Sequence, residues 1–95
     1  MRVLWTFTAW QDYVEWQRVD PDATSKINAL IEDIRRDPIG KGIGKPERLT
    51  GLLRGWSSRR ITQEHRLVYR VQGAGEGQTI EIIHCKGHYG LSRRL

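Results

Sequence analysis

The sequence predicts an α+β fold: a helical hairpin packed on one face of a mainly antiparallel sheet, in the order strand, helix, helix and then three strands. Three observations carry this expectation. Apolar residues recur at helical spacing early in the chain, they alternate with polar ones towards its end, and a run of glycine, lysine and proline separates the two regimes. At 95 residues the chain has the size of one compact domain, and 38% hydrophobic content with four tryptophans allows a small core without disulfides or a structural metal. Residues 1–95 are therefore read as a single domain.

Residues 2–7 read as a strand inside the sheet, because Val3, Leu4, Trp5 and Phe7 are β-branched, apolar or aromatic. Thr8 is the expected N-cap of a first helix ending near Val19, with Trp10, Tyr13, Val14 and Gln17 at helical spacing and Asp12 and Glu15 facing water. Asp20-Pro21-Asp22 starts the second helix: a capping carboxylate, a proline where its missing N–H is harmless, and an acid at the positive end of the dipole. Ile27, Leu30, Ile31 and Ile34 form its apolar stripe; Arg35 and Arg36 suit its C-terminal end, and Pro38 stops it. Residues 38–46 form a basic, glycine-rich loop that lacks the Gly-Lys-Ser/Thr ending of a P-loop. Residues 57–62 and 66–72 make an antiparallel hairpin through a turn at 62–65. In its second strand, alternation sends Leu67, Tyr69 and Val71 towards the helices and Arg66, Val68 and Arg70 to an open face where a nucleic acid could lie. A loose turn at 73–77 leads to a last strand, residues 79–85, marked by Ile80, Ile82 and Ile83.

A net charge of +5, with twelve arginines to four lysines, and a pI near 9.9 point to an anionic partner, since the planar guanidinium grips phosphate bidentately. Solubility is the plainer reading of the same charge. Cys85 is the only cysteine, so no disulfide within the chain and no Cys-rich zinc site can form; a buried structural thiol in a reducing cytoplasm is expected. No apolar run approaches the roughly 20 residues needed to cross a bilayer, and the start lacks a secretory pattern, so no membrane role is expected. The three histidines offer no helical His-x-x-x-His pair, which argues against a metal site. Trp10, Tyr13 and Trp16 are read as packing rather than as a base-stacking platform.

RNA can be cut without a metal when a base takes the 2′-hydroxyl proton, cations steady the crowded phosphate, and an acid protonates the leaving 5′-oxygen. Glu47 after the basic loop, Arg60 and Arg66 in the central strands, and His88-Tyr89 after the last strand are candidates for these tasks. Each also has a plain structural reading: Glu47 as a solvated carboxylate, Arg59 and Arg60 as an exposed pair on the sheet, His88 as a half-buried polar residue. Spacing alone leaves both readings open.

Several segments carry a resemblance. Gly40-Lys41-Gly42 with Lys45-Pro46-Glu47, the run Gly55-Trp56-Ser57-Ser58-Arg59-Arg60-Ile61-Thr62, then Glu64-His65-Arg66-Leu67-Val68-Tyr69 and finally His88-Tyr89 are similar to the YoeB (Txe) toxins of the RelE/ParE superfamily. The similarity continues upstream through Trp5, Trp10, Asp12, Tyr13, Trp16 and Lys26-Ile27-Asn28, and spans residues 1–89. It implies a RelE-like fold and a bacterial type II toxin: a metal-independent endoribonuclease, with no cofactor, that cleaves mRNA in the ribosomal A site to leave a 2′,3′-cyclic phosphate. It further implies Glu47 as general base, Arg66 as the phosphate-stabilising cation, His88 as general acid and Tyr89 as a residue shaping the site. Lys45, Arg48, Arg59, Arg60 and Lys86 would hold RNA or ribosome. The implied partners are mRNA, both ribosomal subunits, a YefM-type antitoxin, a second copy in a homodimer, and operator DNA reached only through the antitoxin complex. The alternatives are a non-catalytic ParE-like toxin aimed at a protein such as gyrase, and a nucleic-acid-binding co-repressor. The chain departs from the pattern at Thr50, where lysine is usual, at Arg48, where proline is usual, in the longer 73–77 turn, and in a C-terminal extension, residues 90–95. Arg93 and Arg94 in that tail are expected either to add RNA contacts or to be disordered.

Overall fold

Thr6, rather than Thr8, starts the first helix. In the computed structural model, which describes residues 1–88, the Thr6 hydroxyl accepts from the Ala9 N–H at 3.2 Å while its backbone is extended. This cap ends strand β1 (Arg2–Trp5) two residues before strand chemistry runs out and opens α1 (Phe7–Val19). The buried side of α1 consequently carries Ala9 and Trp16 with Tyr13 packed alongside, whereas Trp10 and Val14 remain 45% and 47% exposed. Asp20 then serves two helices. Its N–H donates to the Trp16 carbonyl at 2.8 Å, closing α1, and its carboxylate accepts from the Ala23 N–H at 3.3 Å, opening α2 (Pro21–Arg36) with Pro21 at the first position. Ala23, Ile27, Leu30 and Ile34 are the buried stripe of α2, as its spacing demands.

The remaining strands are β2 (Glu47–Arg48), β3 (Ser57–Arg60), β4 (Arg66–Gln72) and β5 (Thr79–His84), and the sheet order is β1-β5-β4-β3-β2. β4 pairs antiparallel with both β3 and β5, but β1 runs parallel to β5, with Val3 opposite Ile80. The expectation that the first strand lies inside the sheet is corrected: β1 has a neighbour on one side only, and Leu4 is 52% exposed. The two-residue β2, unforeseen in the sequence, forms the other edge. Leu67 and Tyr69 of β4 and Ile80 and Ile82 of β5 meet Ile27, Leu30 and Ile34 of α2 in one core, each aliphatic side chain contributing about 1.5–3 kcal/mol by leaving water.

Between β4 and β5 the register slips. Tyr69 faces Ile82 but Val68 faces His84, so Ile83 is an inserted residue and His84 comes opposite Val68. Cys85 follows, fully buried, its thiol donating to the Ala9 carbonyl at 3.4 Å, and burial pushes its pKa up to about 12. It is a structural thiol rather than a nucleophile. No helix among the described residues is long and apolar enough to cross a membrane.

Candidate active site

Registers decide which side chains share the sheet face turned away from the helices. Glu47 lies opposite Ser58, Ser58 opposite Val68, and Val68 opposite His84, so one cross-strand row runs from the β2 edge to the end of β5. Two residues along the strands, Arg60 lies opposite Arg66 on the same face. On the other side of the row, Arg70 stacks over the Trp56 ring at 4.4 Å and its Nε donates to Glu81 at 2.7 Å. Glu47 and Arg66 therefore share a face, two strands apart, roughly 10 Å across the sheet and about 7 Å along it by ordinary strand spacing. That face is not bare as expected, because Ser58 and Val68 in its centre are buried.

Arg66 is only 9% exposed. Its Nη1 donates to the carbonyls of Thr62, Gln63 and His65 at 3.0, 3.0 and 3.2 Å, so the turn before β4 orients the guanidinium. Among the described residues no carboxylate pairs with it. A nearly buried cation answered only by carbonyl dipoles is poised for an anion. The Arg66 N–H donates to the Gly87 carbonyl at 2.9 Å, which brings the residue before His88 against the start of β4. Arg66 and the His88 backbone are thus neighbours. Tyr89 lies outside the described residues, as does the tail 90–95.

Arg59 is the residue whose expected role the structure corrects. It sits on the helix side of β3, fully buried, where Nη1 pairs with Asp33 of α2 and donates to the Ile43 carbonyl at 3.2 Å, and Nε donates to the Tyr69 hydroxyl at 3.0 Å. A guanidinium enclosed in this way cannot touch RNA. Burial alone would weaken its charge, yet the Tyr69 hydroxyl and Asp33 outweigh that cost and hold its pKa above the ordinary value; the hydrogen bond from Arg59 in turn keeps Asp33 below the usual carboxylate range. Asp33 also accepts from the Ile43 N–H at 3.2 Å. The pair therefore ties down the glycine-rich loop that leads to Lys45 and Glu47.

Glu47, Lys45, Arg48 and Lys86 are exposed, and Arg60 is half-buried. A cleft of about 690 Å³ beside β2 is lined by Glu47, Arg48, Trp56 and Arg70 among others, but its lining includes neither Arg66 nor His88. Of the three residues expected to converge, the cleft holds only Glu47. Sequence reasoning missed His65 and His84, which contact Gly87; His65 stands beside Arg66 in the chain, but no spacing rule reveals what its ring would meet. Burial, opposed by the Gly87 carbonyl, holds His84 below the ordinary imidazole range, with Asp12 pulling upwards and the nearby His65 and His88 downwards. Among the described residues no group of three His, Cys, Asp or Glu side chains is placed to hold a metal ion.

Comparison with known proteins agrees with this architecture. Residues 5–89 match the family described as YoeB-like toxin of bacterial type II toxin-antitoxin system. Toxin YoeB of Escherichia coli K12 is 46% identical over 89 residues, covering 94% of this chain and all of the relative. Among solved structures, a YoeB/ParE toxin from Agrobacterium tumefaciens superposes with a TM-score of 0.89 at 50% identity, covering 94% of this chain and 100% of that one. The toxin in a heterotetrameric YoeB-YefM complex from Staphylococcus aureus superposes at 0.82 and 42% identity, covering 92% and 95%.

Proposed function

Since the chain belongs to the YoeB-like toxins of bacterial type II toxin-antitoxin systems, we propose that it is a ribosome-dependent endoribonuclease in which Glu47, Arg66 and His88 act on one phosphodiester of mRNA in the A site. The observation that carries this is Arg66: a guanidinium 9% exposed, oriented by three carbonyls, on the same face as Glu47 and beside the chain that bears His88.

The reaction needs no group beyond these side chains. Glu47 takes the proton of the 2′-hydroxyl, and the 2′-oxygen attacks the adjacent phosphorus. Arg66 donates to the non-bridging oxygens as negative charge gathers on them, and stays charged throughout. His88 as imidazolium gives its proton to the 5′-oxygen as the P–O bond breaks. The products are a 2′,3′-cyclic phosphate and a 5′-hydroxyl. Tyr89 shapes the site beside His88, and Lys45, Arg48, Arg60 and Lys86 hold the RNA backbone or the ribosome; buried Arg59 is withdrawn from that set. The remaining partners are a YefM-type antitoxin, as in the S. aureus complex, a second copy of the chain, and operator DNA through the antitoxin complex. A cytoplasmic location follows from the ribosomal substrate.

The test is a reconstituted translation reaction in which both protein synthesis and mRNA integrity are followed. Glu47→Ala and His88→Ala should each slow mRNA cleavage by about 10²-fold or more. If either variant still blocks synthesis as well as the wild-type toxin while leaving mRNA intact, inhibition comes from binding alone.

A further inference from the structure

Gly87 is gripped on both sides of its backbone by two histidines that the reaction above does not use. Its N–H donates to His65 Nδ1 at 2.7 Å, and its carbonyl accepts from His84 Nε2 at 3.0 Å as well as from the Arg66 N–H at 2.9 Å. An amide N–H only donates and a carbonyl only accepts, so His65 Nδ1 must be unprotonated and His84 Nε2 must carry hydrogen. His65 is itself held. Its ring stands edge-on to Trp16 of α1, centroids 4.8 Å apart and planes at 77°, and Trp16 Nε1 donates to the Cys85 carbonyl at 2.8 Å. Gly87 has φ +81°, in the left-handed region that favours glycine. Helix α1, the turn between β3 and β4, and the end of β5 thus converge on the residue immediately before His88.

We infer that His65 is a positioning residue for His88: as an unprotonated acceptor it fixes the Gly87 peptide, and through it the imidazole that must reach the leaving 5′-oxygen. The inference rests on the assignment of His88 as general acid. His65 touches no substrate in this scheme. A proton donor displaced by about 1 Å forfeits on the order of 10²-fold in rate. Binding of mRNA and ribosome, which depends on the exposed cations, is left alone.

Two substitutions separate hydrogen bonding from packing. His65→Phe keeps an aromatic edge for Trp16 but loses the acceptor; His65→Asn shortens the ring yet returns an oxygen near the position of Nδ1. With full-length toxin on programmed ribosomes, His65→Phe should lower the single-turnover cleavage rate by about 10- to 100-fold with a nearly unchanged half-saturating ribosome concentration, and His65→Asn should recover most of that rate. A His65→Phe rate equal to wild type, in an assay where His88→Gln is slow, overturns the positioning role while sparing the acid. A wild-type rate for His88→Gln removes the acid assignment and the positioning role together. Equal losses for His65→Phe and His65→Asn would show that returning an acceptor to Gly87 does not restore the rate, and would also overturn the inference. Should either variant fold poorly, hydrogen exchange on the wild-type toxin decides: a slowly exchanging Gly87 amide is expected, and one exchanging as fast as an unfolded chain refutes the bond.

Discussion

Arg59 keeps its charge at zero exposure because three acceptors are brought to it, the Asp33 carboxylate, the Ile43 carbonyl and the Tyr69 hydroxyl. Breaking such a pair from one side strands a charge, whereas removing both sides does not. Asp33→Ala should therefore lower the denaturation midpoint by more than Asp33→Ala combined with Arg59→Met, as measured by urea unfolding; if the double variant is the less stable, the guanidinium is not a stranded charge. His84 makes a similar argument about protons. Burial depresses its pKa, so near the ordinary imidazole value, about 6.5, the unfolded chain binds more protons than the native one. Stability is then complete above that pH and falls as pH drops through the lower folded value. Melting temperatures measured from about pH 7.5 down to pH 5 should fall more steeply for wild type than for His84→Gln. Parallel curves would show that His84 contributes nothing to the slope.

At the scale of elements, α2 and the glycine-rich loop behave oppositely. Ile27, at 0% exposure in the middle of the helical stripe, leaves a cavity when truncated: Ile27→Ala should cost about 2–5 kcal/mol by equilibrium unfolding. The loop is held through backbone and side-chain polar contacts instead. A Cβ at Gly42 would sit 1.6 Å from the Asp33 carboxylate and 2.9 Å from Arg59 Nη1, so Gly42→Ala should loosen the pair and slow cleavage through Glu47 downstream, even where RNA binding persists. These two elements also mark what could be read from the chain. The period of α2, its Asp20 cap and its Pro21 start are local signals, and they gave its burial correctly. β1 ended early because Thr6 and Thr8 are equally good caps by residue type, and only the bond to Ala9 decides between them. β2 was invisible, being two residues whose strand character comes from pairing with Ser57 and Ser58. In the candidate site, alternation rightly separated Arg66 and Arg70 from Leu67 and Tyr69, but it also allowed Arg59 an exposed role, since nothing local announces an acid 26 positions earlier in the chain.

For the whole molecule, a net charge of +5 matters less than how it is distributed. On the helices, Arg18, Arg35 and Arg36 are each answered three positions earlier by Glu15, Glu32 and Asp33. Around the sheet, among the described residues, Lys45, Arg48, Arg60 and Lys86 take part in no ion pair. Those sheet-side cations lie along the proposed RNA path, and within about 10 Å at ordinary ionic strength their attraction for phosphate is not screened away. Each phosphate neutralised releases a counterion, so affinity for a single RNA strand should fall with salt at a slope of about 0.7 per contact. Arg60→Ala should weaken binding of the toxin to programmed ribosomes and flatten the plot of log affinity against log salt by about that amount, whereas Arg35→Ala should leave the slope unchanged. Equal changes in slope for the two variants would mean that total charge, and not the unpaired sheet-side cations, sets the encounter.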